Sequence, residues 1–464
     1  MNNAHRLLRV ALTFALGLSS AIAYGQGATK PTAPKGVKPA AKLAPSKTIN
    51  VNYKDVKLKN GLRVLLVEDH TAPVVSLAVT YNTGSRNERK GRTGFAHLFE
   101  HMMFQGSENV GKGEHFVLVF NNGGVMNGTT NTDRTNYYQT LPANQLDLAL
   151  FLEADRMRSL DISKENLDNQ RNAVQEERRL GVDNQPYGQA FEQFNETIYD
   201  NFAYKHSTIG SMEDLNAASV EDVKEFFRVY YAPNNAVLAL VGDFKAEEAL
   251  AKIKKYFEAI PPQLAPQPVD MTEPEQTAER RLKVEDPLAQ LPLLFIGYKG
   301  ITGNTADYYA AQVLNQTLTE GRSSRLYQRL IKEKQLAAQV FGDVDERRGP
   351  GYYQLGALIA PGKKPEEVEA VINEEIARLQ QEPIADWELE KAKNSARRSS
   401  IQALQSSENT AIRLSQYAVY YNDPNLINTQ FQKIAAVTKA DVQRVAQKYL
   451  KVTNRTLALV VPKS

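Results

Sequence analysis

Apolar and polar positions alternate along the chain with two different periods. Val56-Lys57-Leu58 and Arg63-Val64-Leu65-Leu66-Val67 are apolar-rich runs on either side of Asn60-Gly61, a dipeptide that favours a tight hairpin turn, and Val74 to Val79 reads as a further strand. Gly94 to Met103 then changes character. It has no internal Gly or Pro and is mostly apolar at Phe95, Leu98, Phe99, Met102 and Met103, which predicts a helix. In residues 166–179, Leu167, Gln170, Val174 and Glu177 stand at i, i+3, i+7 and i+10, a single stripe of a second helix. Two apolar members turn that stripe toward a core.

The pattern also divides the chain. Pro261, Pro262, Pro266, Pro268 and Pro274 interrupt any periodicity, and the strand-like run Leu291 to Ile296 opens a new unit. The expected organisation is a first unit over 48–262, a linker over 263–279 and a second unit over 280–464. The halves resemble each other. Asp222, Val223, Tyr230, Asn235 and Leu238-Ala239-Leu240-Val241 recur as Asp441, Val442, Tyr449, Asn454 and Leu457-Ala458-Leu459-Val460, all at one gapless offset of 219. Two copies of one α+β unit, not a solenoid, explain this.

Composition adds compartment and partners. Residues 1–23 have a basic start (Arg6, Arg9), a short apolar run from Val10 to Leu18 and the small-x-small site Ala21-Ile22-Ala23, the pattern of a secretory signal. The apolar run falls short of the ~20 residues that span a bilayer, which disfavours an anchor and stable membrane insertion. Residues 24–47 read as a flexible Pro/Ala/Lys-rich tether. These expectations together place the protein in the periplasm. Seven of the 56 basic residues lie in 1–47; the other 49 face 53 acidic residues, so nothing suggests a nucleic-acid binder. With no Cys, a metal site must use His and carboxylates.

Two of the six histidines supply such a site. On a helix, His97 and His101 lie one above the other and can grip a single ion. Glu100 is displaced around that helix, placed to exchange a proton with an activated water without being a ligand. A catalytic zinc takes three protein ligands and keeps one position open. An acid on a buried stripe is costly unless paired or metal-bound, which selects Glu177 as the third ligand over Glu176, about 100° away and solvent-facing. Gln170, on the same stripe, is a candidate for orienting a ligand.

These residues carry a resemblance. His97-x-x-Glu100-His101 followed by Arg171-Asn172-Ala173-Val174-x-x-Glu177 resembles the inverted zinc-site peptidases of the pitrilysin family (peptidase family M16). Asn184-Gln185-Pro186-Tyr187-Gly188, Tyr231-Ala232-Pro233-Asn234-Asn235, Val241-Gly242-Asp243-Phe244 and Ser323-Ser324-Arg325-Leu326 extend the likeness downstream. By length the chain is similar to the short branch that includes mitochondrial processing peptidase and bacterial relatives. The resemblance implies two homologous α/β sandwich-type units of the LuxS/MPP-like metallohydrolase fold, closing with a second chain into a clamshell around a chamber. It implies a zinc-dependent endopeptidase acting on extended or unfolded peptides. It also implies a substrate-binding edge strand at Asn127, Gly128, Thr129 and Thr130, after Gly123-Gly124. Taken alone, those residues are equally a glycine turn and an ordinary Thr/Tyr hairpin.

One part of the family pattern is broken. Many active members carry an Arg, and a Tyr seven residues later, in the second half; here those positions hold Ile331 and Ala338. The helix around Ala311 to Gln316, counterpart of the His helix, has no His. The expectation is a heterodimer in which a homologous subunit without a metal site supplies the Arg and Tyr. A non-catalytic structural or assembly subunit and a peptide-binding module are the alternatives. Both leave the full set of His97, Glu100, His101 and Glu177 without a use.

Overall fold

The computed structural model describes residues 50–463; the expected signal and tether lie outside the described residues. Six strands make a first sheet: β1 (Lys54–Lys57), β2 (Arg63–Glu68), β3 (Val74–Tyr81), β4 (Val125–Thr130), β5 (Thr135–Pro142) and β6 (Ala236–Gly242), in the order β1-β2-β6-β3-β5-β4. Asn60 builds the β1–β2 turn: its amide donates to the carbonyls of Phe257 (2.8 Å) and Ile260 (3.0 Å), and Gly61 takes φ 91°, where a Cβ would be strained. Five strands make the second sheet: β7 (Arg280–Asp286), β8 (Leu293–Thr302), β9 (Ala337–Val344), β10 (Pro350–Ile359) and β11 (Arg455–Pro462), in the order β7-β11-β8-β10-β9.

The two sheets share one plan. β2 pairs parallel with β6 as β7 does with β11, and every other pairing is antiparallel. Mapping β2 to β6 onto β7 to β11 reproduces the strand order, with β1 as an addition to the first unit. The protein is a two-unit α+β structure.

Every residue of β6 is buried, because both faces of its sheet are covered. Leu238 and Leu240 face the main core, with Leu66, Leu77, Phe99 and Leu150. Val237, Ala239 and Val241 face Ala411, Leu414 and Ala418 of the helix Ser407–Tyr421, which belongs to the second half. The exchange is reciprocal: Phe194 and Ile198 of the helix Gly188–Ile198 pack on Phe295 and Ala458 of the second sheet. These helices start at 188 and 407, again 219 apart. Gly297 permits the contact, since a Cβ there would lie 2.6 Å from the Phe194 ring.

The Pro-rich stretch 261–279 forms neither helix nor strand. It is nevertheless tied down. Glu273 and Lys299, each with a side chain 3% exposed, pair at 2.9 Å, and Gln276 donates to the Arg455 carbonyl at 2.9 Å. Among the described residues no helix is long and apolar enough to cross a membrane.

Candidate metal centre

Helix α1 (Phe95–Met102) lies against the core on Phe95, Ala96, Leu98, Phe99 and Met102, with the Phe99 ring 4.1 Å from that of Tyr231. His97 and His101 emerge one turn apart, ring centroids 4.8 Å from each other. Helix α2 (Lys164–Arg178), capped by the Ser163 hydroxyl accepting from the Asn166 N–H, buries Leu167 and Val174 and brings Glu177 over the pair. Glu177 Oε2 is 3.5 Å from His97 Nε2 and 3.3 Å from His101 Nε2. A tetrahedral zinc with ligand bonds of about 2.0–2.1 Å sets its ligand atoms about 3.3 Å apart; Glu177 stands at that spacing from each histidine, and all three ligand atoms lie within 4.8 Å of one another, a donor set that could hold the ion. Among the described residues, His97, His101 and Glu177 are the one group of three or more His, Asp and Glu side chains close enough to share a metal.

The burial argument that singled out Glu177 fails. Its side chain is 49% exposed, close to the 56% of Glu176. The stripe of α2 leaves the core after Val174 and reaches solvent at Glu177, so direction separates the two acids. Glu177 points at the histidines, whereas Glu176 accepts from Arg179 at 2.9 Å. Gln170 stands beside the centre, with Oε1 3.3 Å from His101 Nδ1.

Glu100 is buried beneath the histidines, on the side facing β4. Thr130 Oγ1 donates to its Oε2 at 2.5 Å, and Gly128 packs so tightly that a Cβ there would be 3.1 Å from Oε1. Burial pushes the Glu100 carboxyl up to about 7; the Thr130 hydrogen bond and the His101 and Arg134 charges hold it from rising further. Burial, with His101's charge, lowers His97 to about 4 against the pull of Glu177. His101 is also disfavoured as a cation by burial, but its hydrogen bond to Glu177 and nearby carboxylates raise it above its ordinary value. A neutral His97 and an acid–base group near neutrality therefore share one small site.

β4, which carries Asn127, Gly128, Thr129 and Thr130, is the end strand of its sheet. Not all four present side chains outward. Thr130 serves Glu100, Thr129 donates to Asn136 at 2.6 Å, and Asn127 Oδ1 accepts from the Gly128 N–H at 2.9 Å. Arg134, buried, donates to the Thr129 carbonyl at 2.6 Å and braces the strand from behind. Neither contact has a signal in local sequence, since the Arg134 bond depends on the β4–β5 hairpin and the Thr130–Glu100 bond on how α1 packs against β4.

In the second unit, Ala338 is exposed on β9, the end strand matching β4, and Ile331 packs beside the core. The nearby arginines are engaged. Arg325 makes a two-pronged pair with Glu388 (2.7 and 2.8 Å), and Arg329 donates to Glu374 at 2.8 Å. Of the other histidines, His70 pairs with Asp243 on the surface, His115 is buried, and His206 is held against Glu88.

A sheet-and-helix unit thus brings two histidines and a glutamate, a donor set able to hold a metal ion, beside a buried acid. Residues 63–211 match the model for Insulinase (Peptidase family M16), and 217–396 that for the Peptidase M16 inactive domain. The chain is 32% identical over 414 residues to Zinc protease PqqE of Helicobacter pylori, covering 88% of this chain and 93% of that one. The crystal structure of a protease from Helicobacter pylori superposes with a TM-score of 0.85 at 32% identity, over 89% of this chain and all 100% of the other. A Pseudomonas fluorescens structure described as a peptidase M16 inactive domain shares the fold at 20% identity, TM-score 0.79, over 89% of this chain and 98% of its own. The chain belongs to peptidase family M16. His97, Glu100, His101 and Glu177 all lie in the part matched by the Insulinase model.

Proposed function

We propose that this chain is a zinc-dependent endopeptidase of extended or unfolded peptides, exported to the periplasm, and the metal-bearing subunit of a heterodimer. The observation that carries the reading is the convergence of His97, His101 and Glu177 beside Glu100, a buried acid that is not a ligand. A storage or scaffold site has no use for that fourth group. Zinc held by the three ligands would polarise a peptide carbonyl and lower the pKa of water at the site to about 7.

The chain's own residues supply the rest. A peptide pairing with the open edge of β4 is drawn in by its backbone, with little demand on its sequence. Gly128 and Thr130 keep that edge in contact with Glu100. Glu100 takes a proton from the attacking water and passes it to the departing amine, a task suited to a carboxyl near neutrality. At the two second-unit positions where many active relatives carry an Arg and a Tyr, Ile331 and Ala338 offer no side-chain donor, and the nearby Arg325 and Arg329 are engaged by Glu388 and Glu374. A partner of the same fold bearing an Arg and a Tyr would complete the site.

The test is cleavage of a quenched fluorescent peptide by the purified mature chain, with zinc quantified in the same sample. One zinc per chain with weak turnover, restored by the partner, is expected. Brisk turnover alone refutes the heterodimer, and absence of zinc refutes the metal reading. In Glu100→Gln, zinc stays and turnover falls about 10²–10⁴-fold; retained turnover would point to a scaffold or binding module. N-terminal sequencing of the exported protein checks the location.

A further inference from the structure

The ligands come from two helices about seventy residues apart in sequence, so something beyond either helix must hold their spacing. The first turn of α1 has no capping side chain of its own, because its cap residue is Gly94. Glu88 does the work from a distance. Its carboxylate accepts from the Gly94 N–H at 2.9 Å and the Ala96 N–H at 2.8 Å, and its side chain is 0% exposed. A buried carboxylate needs a partner. His206 provides it, Nε2 standing 2.9 Å from Glu88 Oε2 and 2.9 Å from the Ser85 carbonyl, while Nδ1 meets the Phe202 carbonyl at 2.8 Å. Both ring nitrogens thus face only acceptors, the surroundings of an imidazolium.

The segment that carries His206 touches α1 again. Asp214 accepts from the Thr93 N–H at 2.9 Å and its hydroxyl at 2.5 Å. Gly94 and Gly210 meet backbone to backbone: a Cβ on Gly94 would lie 2.6 Å from the Ile209 oxygen, and one on Gly210 2.4 Å from the Thr93 oxygen. The same segment also holds α2. Arg178, next to the ligand Glu177, donates to the Gly210 carbonyl at 2.7 Å. Arg171 donates to the Leu215 and Ala218 carbonyls at 3.0 and 2.6 Å, and Gln175 to Asn216 at 2.9 Å.

We propose that residues 202–218 form a positioning clamp that sets the distance between the two ligand helices, with His206, acting through Glu88, as its pin on the histidine helix and Arg178 as its pin on the glutamate helix. The inference rests on the reading that His97, His101 and Glu177 hold zinc. Groups that orient metal ligands typically govern affinity by 10–100-fold.

The experiment is competition for zinc between the full chain and a chromogenic chelator, for wild type, His206→Ala and His206→Gln, alongside the thermal midpoint of each metal-free protein. His206→Ala is expected to weaken zinc binding about 10–100-fold. His206→Gln, which can still donate to Glu88, should recover part of that loss. Variants that bind zinc within about twofold of wild type, whatever their midpoints, overturn the clamp and leave His206 a fold-stabilising residue. If His206→Ala does not fold, Arg178→Gln carries the same expectation and the same refutation from the other helix. A wild-type chain that binds no zinc overturns the metal reading and the clamp together; zinc-replete wild type with unchanged variants overturns the clamp alone.

Discussion

Thr130→Val removes one hydroxyl from the site without touching Glu100 or any metal ligand. That hydroxyl donates to Glu100 Oε2 at 2.5 Å, in a pocket where burial has already driven the carboxyl up to about 7. A hydrogen bond to a charged group contributes about 1.5–3 kcal/mol, and 1.36 kcal/mol corresponds to one pKa unit, so its loss should raise the Glu100 pKa by about 1–2 units. The direction follows from the role. A general base must be ionised, so turnover is lost as pH falls through its pKa, and a higher pKa moves that acid limb to higher pH. Zinc's charge lowers the pKa in wild type and variant alike, so the displacement between them carries the prediction. The assay is the pH dependence of kcat/KM on a fluorogenic peptide, with equal zinc content confirmed in both proteins. At a fixed pH on the acid limb the variant should be about 10–100-fold slower, with the alkaline plateaus far closer together. An unmoved limb in a folded, zinc-replete variant would refute either the hydrogen bond or the assignment of Glu100 as base.

Two further outcomes are expected. Glu177→Gln should bring zinc content close to zero while Glu176→Gln leaves it unchanged, because only Glu177 faces both histidines; elemental analysis decides, and equal losses would overturn the ligand assignment. Glu273→Ala removes the buried one of two carboxylates on the Lys299 ammonium, whose side chain is 3% exposed, and should cost about 1–3 kcal/mol in urea unfolding monitored by circular dichroism. A loss below about 1 kcal/mol would mean that Asp200, 2.9 Å from the same ammonium, suffices as its counter-charge.

The sequence was most informative where neighbouring residues share one element. The i, i+4 spacing of His97 and His101, the stripe on α2, the β1–β2 turn and the duplicated ending at an offset of 219 are short-range patterns, which backbone periodicity converts directly into faces and registers. Glu177 was reached through an argument about burial that its exposure contradicts. The choice between two adjacent acids depended on where α2 points relative to α1, a relation that no local pattern contains.

Tertiary structure alone decided the rest. The Glu100–Thr130 bond, the bracing of β4 by Arg134, the exchange of helices between the sheets and the Glu88–His206 pair join residues 30 to more than 200 positions apart or across a turn. The sequence alone therefore determined the family, the two-unit fold and the elements that carry the candidate ligands, because helix and strand periods act over a few residues. The protonation states, the open edge and the distance between the ligand helices come from packing, because burial and charge are properties of whatever the folded chain brings together.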